Sequence, residues 1–174
     1  TILDDNKGSD GRLGPDDVTL QVTLLAGRPE PASWRRAIAL LESLARTQPL
    51  SSNQRLQLAQ LRERAGRWAE CRDDMISLVA SPNAPPALMG LLVEQLIEHG
   101  ELSSAKTWLG KLRAALPEAP ATLALEAKLA IAENDRPTAV AAARKLMPAG
   151  DVPLDQMGQL RSVAKLMEDL GFPK

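Results

Sequence analysis

The sequence predicts an all-α protein of stacked helix pairs, and three observations lead there. The first is composition. The 174 residues include 29 Leu and 26 Ala against 7 Val and 5 Ile, with 3 Trp, 1 Phe and no Tyr, whereas strands favour β-branched and aromatic side chains. The second is an internal register. Ala37, Leu41 and Leu44 lie on one helical stripe. One constant step along the chain, repeated three times, leads from these to Cys71, Met75 and Leu78, to Ala105, Leu109 and Leu112, and to Ala139, Ala143 and Leu146. The first column is always small and the third is always Leu. The third observation is punctuation: ahead of the small column, always at the same distance, stand Gly66, Gly100 and Asn134, types that tolerate the left-handed turn ending a helix.

The elements follow in order. Residues 1–15 are rich in Asp and Gly, with Ile2, Leu3 and Leu13 as the large apolar side chains, a composition that predicts a flexible acidic linker or tail. The acids partly echo a calcium-binding loop. Gly8, however, stands where a ligand oxygen is needed, and Asp17 replaces the Glu that closes such loops, so a solvated linker is the reading. Thr1 is not a start methionine and no basic-then-apolar segment follows it, so the native chain is expected to extend before it. Helices are predicted at 17–27, capped by Asp16, and at 34–47, capped by Ser33 ahead of Trp34. A third at 52–65 opens with a Ser51–Gln54 capping box, and a fourth covers 68–80. The proline-rich breaks at 81–86 and 116–120 precede helices at 86–99 and 121–133. Between and after them lie helices at 102–115 and at 136–147, the latter capped by Asp135. A ninth spans 154–170, where Leu160, Val163, Ala164 and Met167 repeat a first-helix stripe and Gly171 takes the turn column.

With this period, its small column and its Pro-marked ends, the sequence resembles the tetratricopeptide repeat (TPR) family over roughly residues 16–174. The repeats fall near 18–51, 52–85, 86–119 and 120–153, with a partial one at 154–174. It departs from the family pattern in places. Arg28, Arg62, Leu96 and Ala130 replace the usual tyrosine of the first helix, and Glu126 stands where Leu is usual. The resemblance implies a right-handed superhelix, an α-solenoid of about four and a half repeats. It also implies a concave face, made by the first helices, that holds a peptide or helical segment of a partner protein. The side chains that the pattern turns to that face are Gln60, Glu63 and Arg64, then Glu94 and Glu98, then Lys128, then Arg161 and Lys165. The Lys and Asn clamp of the chaperone-binding subgroup is missing: its places hold Val22 and Ala26, Leu56 and Gln60, and Gly90 and Glu94.

Reaction chemistry is sparse. There is no glycine-rich phosphate loop, no GxSxG turn, no HExxH helix and no CxxC pair. Cys71 shares its column with alanines and reads as a buried filler, and His99 reads as a helix-end residue. The acid pairs Asp73–Asp74 and Glu168–Asp169 read as solvated helix faces, and Trp34, Trp68 and Trp108 as core packing. One Cys precludes an internal disulfide, and one His with one Cys makes a poor zinc set. No enzyme activity, cofactor or metal is therefore expected. A net charge of −1 gives no global attraction to nucleic acid, and the bases have no aromatic platform beside them. No apolar run reaches the ~18 residues of a membrane span. Residues 28–72 carry a net +5 and residues 94–135 a net −3, an asymmetry that can orient a charged peptide or a head-to-tail copy. The expected function is a non-catalytic protein–protein interaction module. The alternative is a structural self-association segment, in which Leu166, Leu170 and Phe172 of the incomplete terminal repeat meet another chain.

Overall fold

A computed structural model describes residues 15–146 together with Lys165 and Glu168. Every regular element among them is helical, in eight helices: α1 (Pro15–Ala26), α2 (Pro31–Thr47), α3 (Ser52–Arg64), α4 (Trp68–Val79), α5 (Pro86–Glu98), α6 (Leu102–Ala115), α7 (Pro120–Ala132) and α8 (Arg136–Leu146). The starts of α3, α5 and α7, at Ser52, Pro86 and Pro120, are evenly spaced, and those of α4, α6 and α8, at Trp68, Leu102 and Arg136, keep the same interval. Each of the first three gives way to a left-handed residue: Gly66, Gly100 and Asn134 have φ of 75°, 72° and 58°. In this conformation a Cβ crowds the following carbonyl, which is why Gly and Asn occupy these places.

The chain divides into two compact units, Thr1–Pro82 and Asn83–Lys174. In the first, α1 packs on α2, α2 on α3 and α3 on α4. Val18, Val22 and Leu25 meet Ala37, Ile38, Leu41 and Leu44 there, with Leu58 and Leu61 closing the core from α3. In the second unit α5 packs on α6 and α7, α6 on α7, and α7 on α8. Ala127 and Ala130 of α7 lie against Ala139, Ala142 and Ala143 of α8. The small column explains the close approach: Ala37, Cys71, Ala105 and Ala139 are all 0% exposed.

The helix starts correct two expected caps. Ser33 does not open α2. The helix begins at Pro31, whose fixed φ and missing N–H suit a first turn, behind an extended Glu30 with no side-chain cap. The Ser33 hydroxyl instead bonds the Glu30 carboxylate at 3.3 Å. Likewise α1 already includes Pro15, so Asp16 lies inside it and the expected linker overlaps the helix at Pro15. Two other caps form as read. Ser51 and Gln54 make a reciprocal capping box, and Asp135 accepts from the Thr138 backbone N–H at 3.2 Å and from its hydroxyl at 2.6 Å. The tryptophans are half-buried rather than enclosed. The Trp34 indole donates to the Arg28 carbonyl at 2.7 Å, pinning the α1–α2 turn, and the Lys111 ammonium lies 3.8 Å from the Trp108 ring centre. Most of the expected linker, the ninth helix and its apolar strip lie outside the described residues.

Candidate functional site

The expected binding residues on α3 are exposed at Gln60 and Arg64 and half-buried at Glu63. Arg64 donates to the carbonyl of Ala26, the last residue of α1, at 3.1 Å. It thereby satisfies one of the acceptors a helix leaves open at its C-terminus. Beside Gln60 lies an open depression of about 440 Å³, lined by Thr19, Ser51, Asn53, Gln54, Leu56 and Gln57. Its character is neutral and amide-rich. Gln54 is already committed there, donating to the Thr19 hydroxyl at 3.0 Å and accepting from the Ser51 N–H at 3.0 Å.

In the second unit Glu94 on α5 and Lys128 on α7 meet in an ion pair. Glu98 is exposed at the end of α5. Lys165 is helical and exposed, and Arg161 lies outside the described residues. The two charges of the Glu94–Lys128 pair neutralise each other, so this patch offers a partner hydrogen bonds more than net charge.

A feature not visible in the sequence joins α2, α3 and α4. Arg62 bonds Glu42 at 2.9 Å and Asp74 at 2.5 Å, and Arg67 bonds the same Glu42 oxygen at 2.9 Å and pairs with Glu70. The hydrogen bond from Arg62, followed by those from Arg67, holds the Glu42 carboxyl below its ordinary range. Burial has the opposite effect on Asp74, raising its pKa despite the Arg62 guanidinium beside it. Asp74 is thus no solvated face residue: its side chain is 20% exposed, while that of its neighbour Asp73 is 72% exposed. Arg62 stands in the sequence where the repeat family it resembles usually has tyrosine. Its partners lie on other helices and carry no local signal.

A second cleft, of about 310 Å³, opens between α6 and α7. Lys106 and Glu133 face each other there at 3.4 Å, and Arg113 and Glu126 at 3.6 Å. Gly110, Leu109, Leu129 and Ala130 form the cleft between these pairs.

No protein-family model matches the chain, and neither does any curated protein or any solved structure. Two further residues bear on chemistry. Cys71 is fully buried, and burial pushes its thiol up to about 12, far from the thiolate a nucleophile requires. His99 is the C-terminal cap residue just after α5, and its backbone N–H donates to the Gln95 carbonyl at 3.0 Å. Among the described residues no three His, Cys, Asp or Glu side chains gather where they could hold a metal ion, and no helix is long and apolar enough to cross a membrane.

Proposed function

We propose that the chain is a non-catalytic protein–protein interaction module of the tetratricopeptide type, whose helix pairs continue as a right-handed superhelix. A peptide or helical segment of a partner lies along its first helices. One observation supports this most: α3, α5 and α7 begin at one constant interval, each followed by a left-handed turn at Gly66, Gly100 or Asn134. Such a repeat stacks neighbour on neighbour and leaves an extended face for binding. On that face the amide-lined depression beside Gln60 suits an extended backbone, which needs donors and acceptors in equal measure.

Selection of displayed random peptides on the immobilised protein tests this reading. The selected peptides should lose affinity when Gln60 and Glu98 are replaced by Arg, and keep it when Arg46 on α2 is replaced by Glu. Equal losses in both variants, or no selectable peptide, would count against it.

A second reading, self-association, is favoured by α1. Leu20 and Leu24 are 53% and 54% exposed, yet Leu58 and Leu92, which stand one and two repeats after Leu24, are buried. The same column is covered in later copies and bare in the first. Light scattering across concentrations should then show a mass above that of the single chain, reduced by Leu20→Glu with Leu24→Glu.

A further inference from the structure

The α2–α3 seam and the α6–α7 seam occupy equivalent places in the register, two repeats apart, and they are filled differently. In the first, Glu42 and Arg62 meet at 2.9 Å, and the Arg62 side chain is only 14% exposed. The corresponding residues of the second seam are Gly110 and Ala130. Crowding does not explain the glycine, because a Cβ at Gly110 would meet nothing within 4 Å. Glycine also weakens a helix interior. What the two truncations leave is the cleft of about 310 Å³, at the small end of ligand sites and suited to one long side chain.

The charges have changed in the complementary sense. Leu58 and Ala65 of the first seam correspond to Glu126 and Glu133 of the second. These carboxylates are the inner groups, with side chains 17% and 30% exposed, while the Arg113 and Lys106 opposite them are 65% and 70% exposed. Glu126 Oε1 is buried and accepts no hydrogen bond, the Arg113 Nη1 paired with it standing 3.6 Å away, beyond hydrogen-bond reach. This state is less favourable for a carboxylate oxygen than a direct hydrogen bond. The second seam therefore has carboxylates and an apolar wall of Leu109 and Leu129, but no internal guanidinium.

We propose that the α6–α7 cleft receives an arginine side chain of a protein partner. Its methylene stem lies on Leu109 and Leu129, and its guanidinium donates to Glu126 Oε1 and to Glu133. The exposed Arg113 and Lys106 side chains swing out to solvent. Arginine fits better than lysine because a planar fork serves two carboxylates at once, and arginine is the residue that fills the equivalent seam. The inference is independent of binding on the first helices.

The test is an amide NMR titration of the whole chain with a capped pentapeptide carrying one arginine among alanines, and with its citrulline twin. The Gly110 amide should shift saturably with the arginine peptide and require at least about tenfold more of the citrulline one, the loss expected for a charge-assisted pair. Glu126→Gln should weaken binding about tenfold by the same reasoning. Gly110→Leu, which places its side chain in open space, should abolish binding with helicity intact. An absent or non-saturating Gly110 shift, an equal response to both peptides, or unchanged binding in Gly110→Leu would overturn the proposal.

Discussion

Glu94 on α5 and Lys128 on α7, one repeat apart in the chain, form an ion pair. Two side chains expected to await a partner thus brace successive first helices against each other. Both remain substantially exposed, so solvent screens the pair. Lys128→Glu should cost about 0.2–1 kcal/mol, the range for exposed pairs. The swap Glu94→Lys with Lys128→Glu should recover most of it. Urea unfolding of the three variants at low salt checks this, and a swap no better than the single change would show that the pair contributes nothing.

The left-handed turns give a sharper prediction. A Cβ at Gly66 or Gly100 would meet nothing within 4 Å, so any loss on substitution reports backbone strain and not crowding. Gly66→Val and Gly100→Val should each cost about 1–2 kcal/mol or more, whereas Asn134→Gly should leave the thermal midpoint unchanged or higher. Valine variants that melt with the parent protein would contradict the positive φ at these turns.

The small column should not accept volume. Ala105 is fully buried on α6, and Ala105→Trp should destabilise by at least about 1–3 kcal/mol through overpacking. Arg46, exposed on α2, provides the control, since surface changes stay within about 0.5 kcal/mol. Equal losses for Ala105→Trp and Arg46→Trp in denaturant unfolding would sink the proposed register.

Acid should loosen the α2–α3–α4 network, and the sign depends on which carboxyl is considered. The pKa of Glu42 is lower folded than unfolded because Arg62 and Arg67 donate to it. Its contribution is therefore complete above the unfolded carboxylate range and is lost as pH falls through the folded value. Asp74 acts in the opposite sense: burial raises its pKa, so it takes up a proton more readily in the folded state and offsets part of that loss. Glu42→Gln should thus flatten the decline of the urea midpoint below about pH 4. Arg62→Met, which takes the guanidinium from the partly buried Asp74 while Glu42 keeps Arg67, should cost at least about 1.5–3 kcal/mol at neutral pH. An acid limb identical in Glu42→Gln and the parent would rule out Glu42 as its source.

The helices are legible in the sequence because their signals are local. Small and large apolar residues recur at fixed spacing, Gly and Asn mark the turns, and Ser51 and Asp135 carry cap chemistry within one helical turn. The starts at Pro15, Pro31 and Pro120 precede the expected ones slightly, since a proline suits both a break and a first turn. The candidate site is harder to read. Gln60 and Glu98 are both exposed as the pattern implies, but whether a charge on such a face is occupied depends on residues distant in the chain. Nothing near Lys128 announces Glu94, and nothing near Arg62 announces Glu42 and Asp74. The α6–α7 cleft has a trace in the sequence, in the Glu at 126 where the resembled repeat pattern has Leu. The cleft itself depends on Gly110 and Ala130 facing the same space, which no local pattern records.

Binding along the first helices is tested most directly by photo-cross-linking. Benzoylphenylalanine is placed in turn at Gln60 and Glu98 on first helices and at Arg46 and Arg144 on second helices, and each protein is irradiated with a selected peptide. A binding face on the first helices predicts cross-links at positions 60 and 98 and none at 46 and 144. Cross-links of equal yield at all four positions, or confined to 46 and 144, would contradict it.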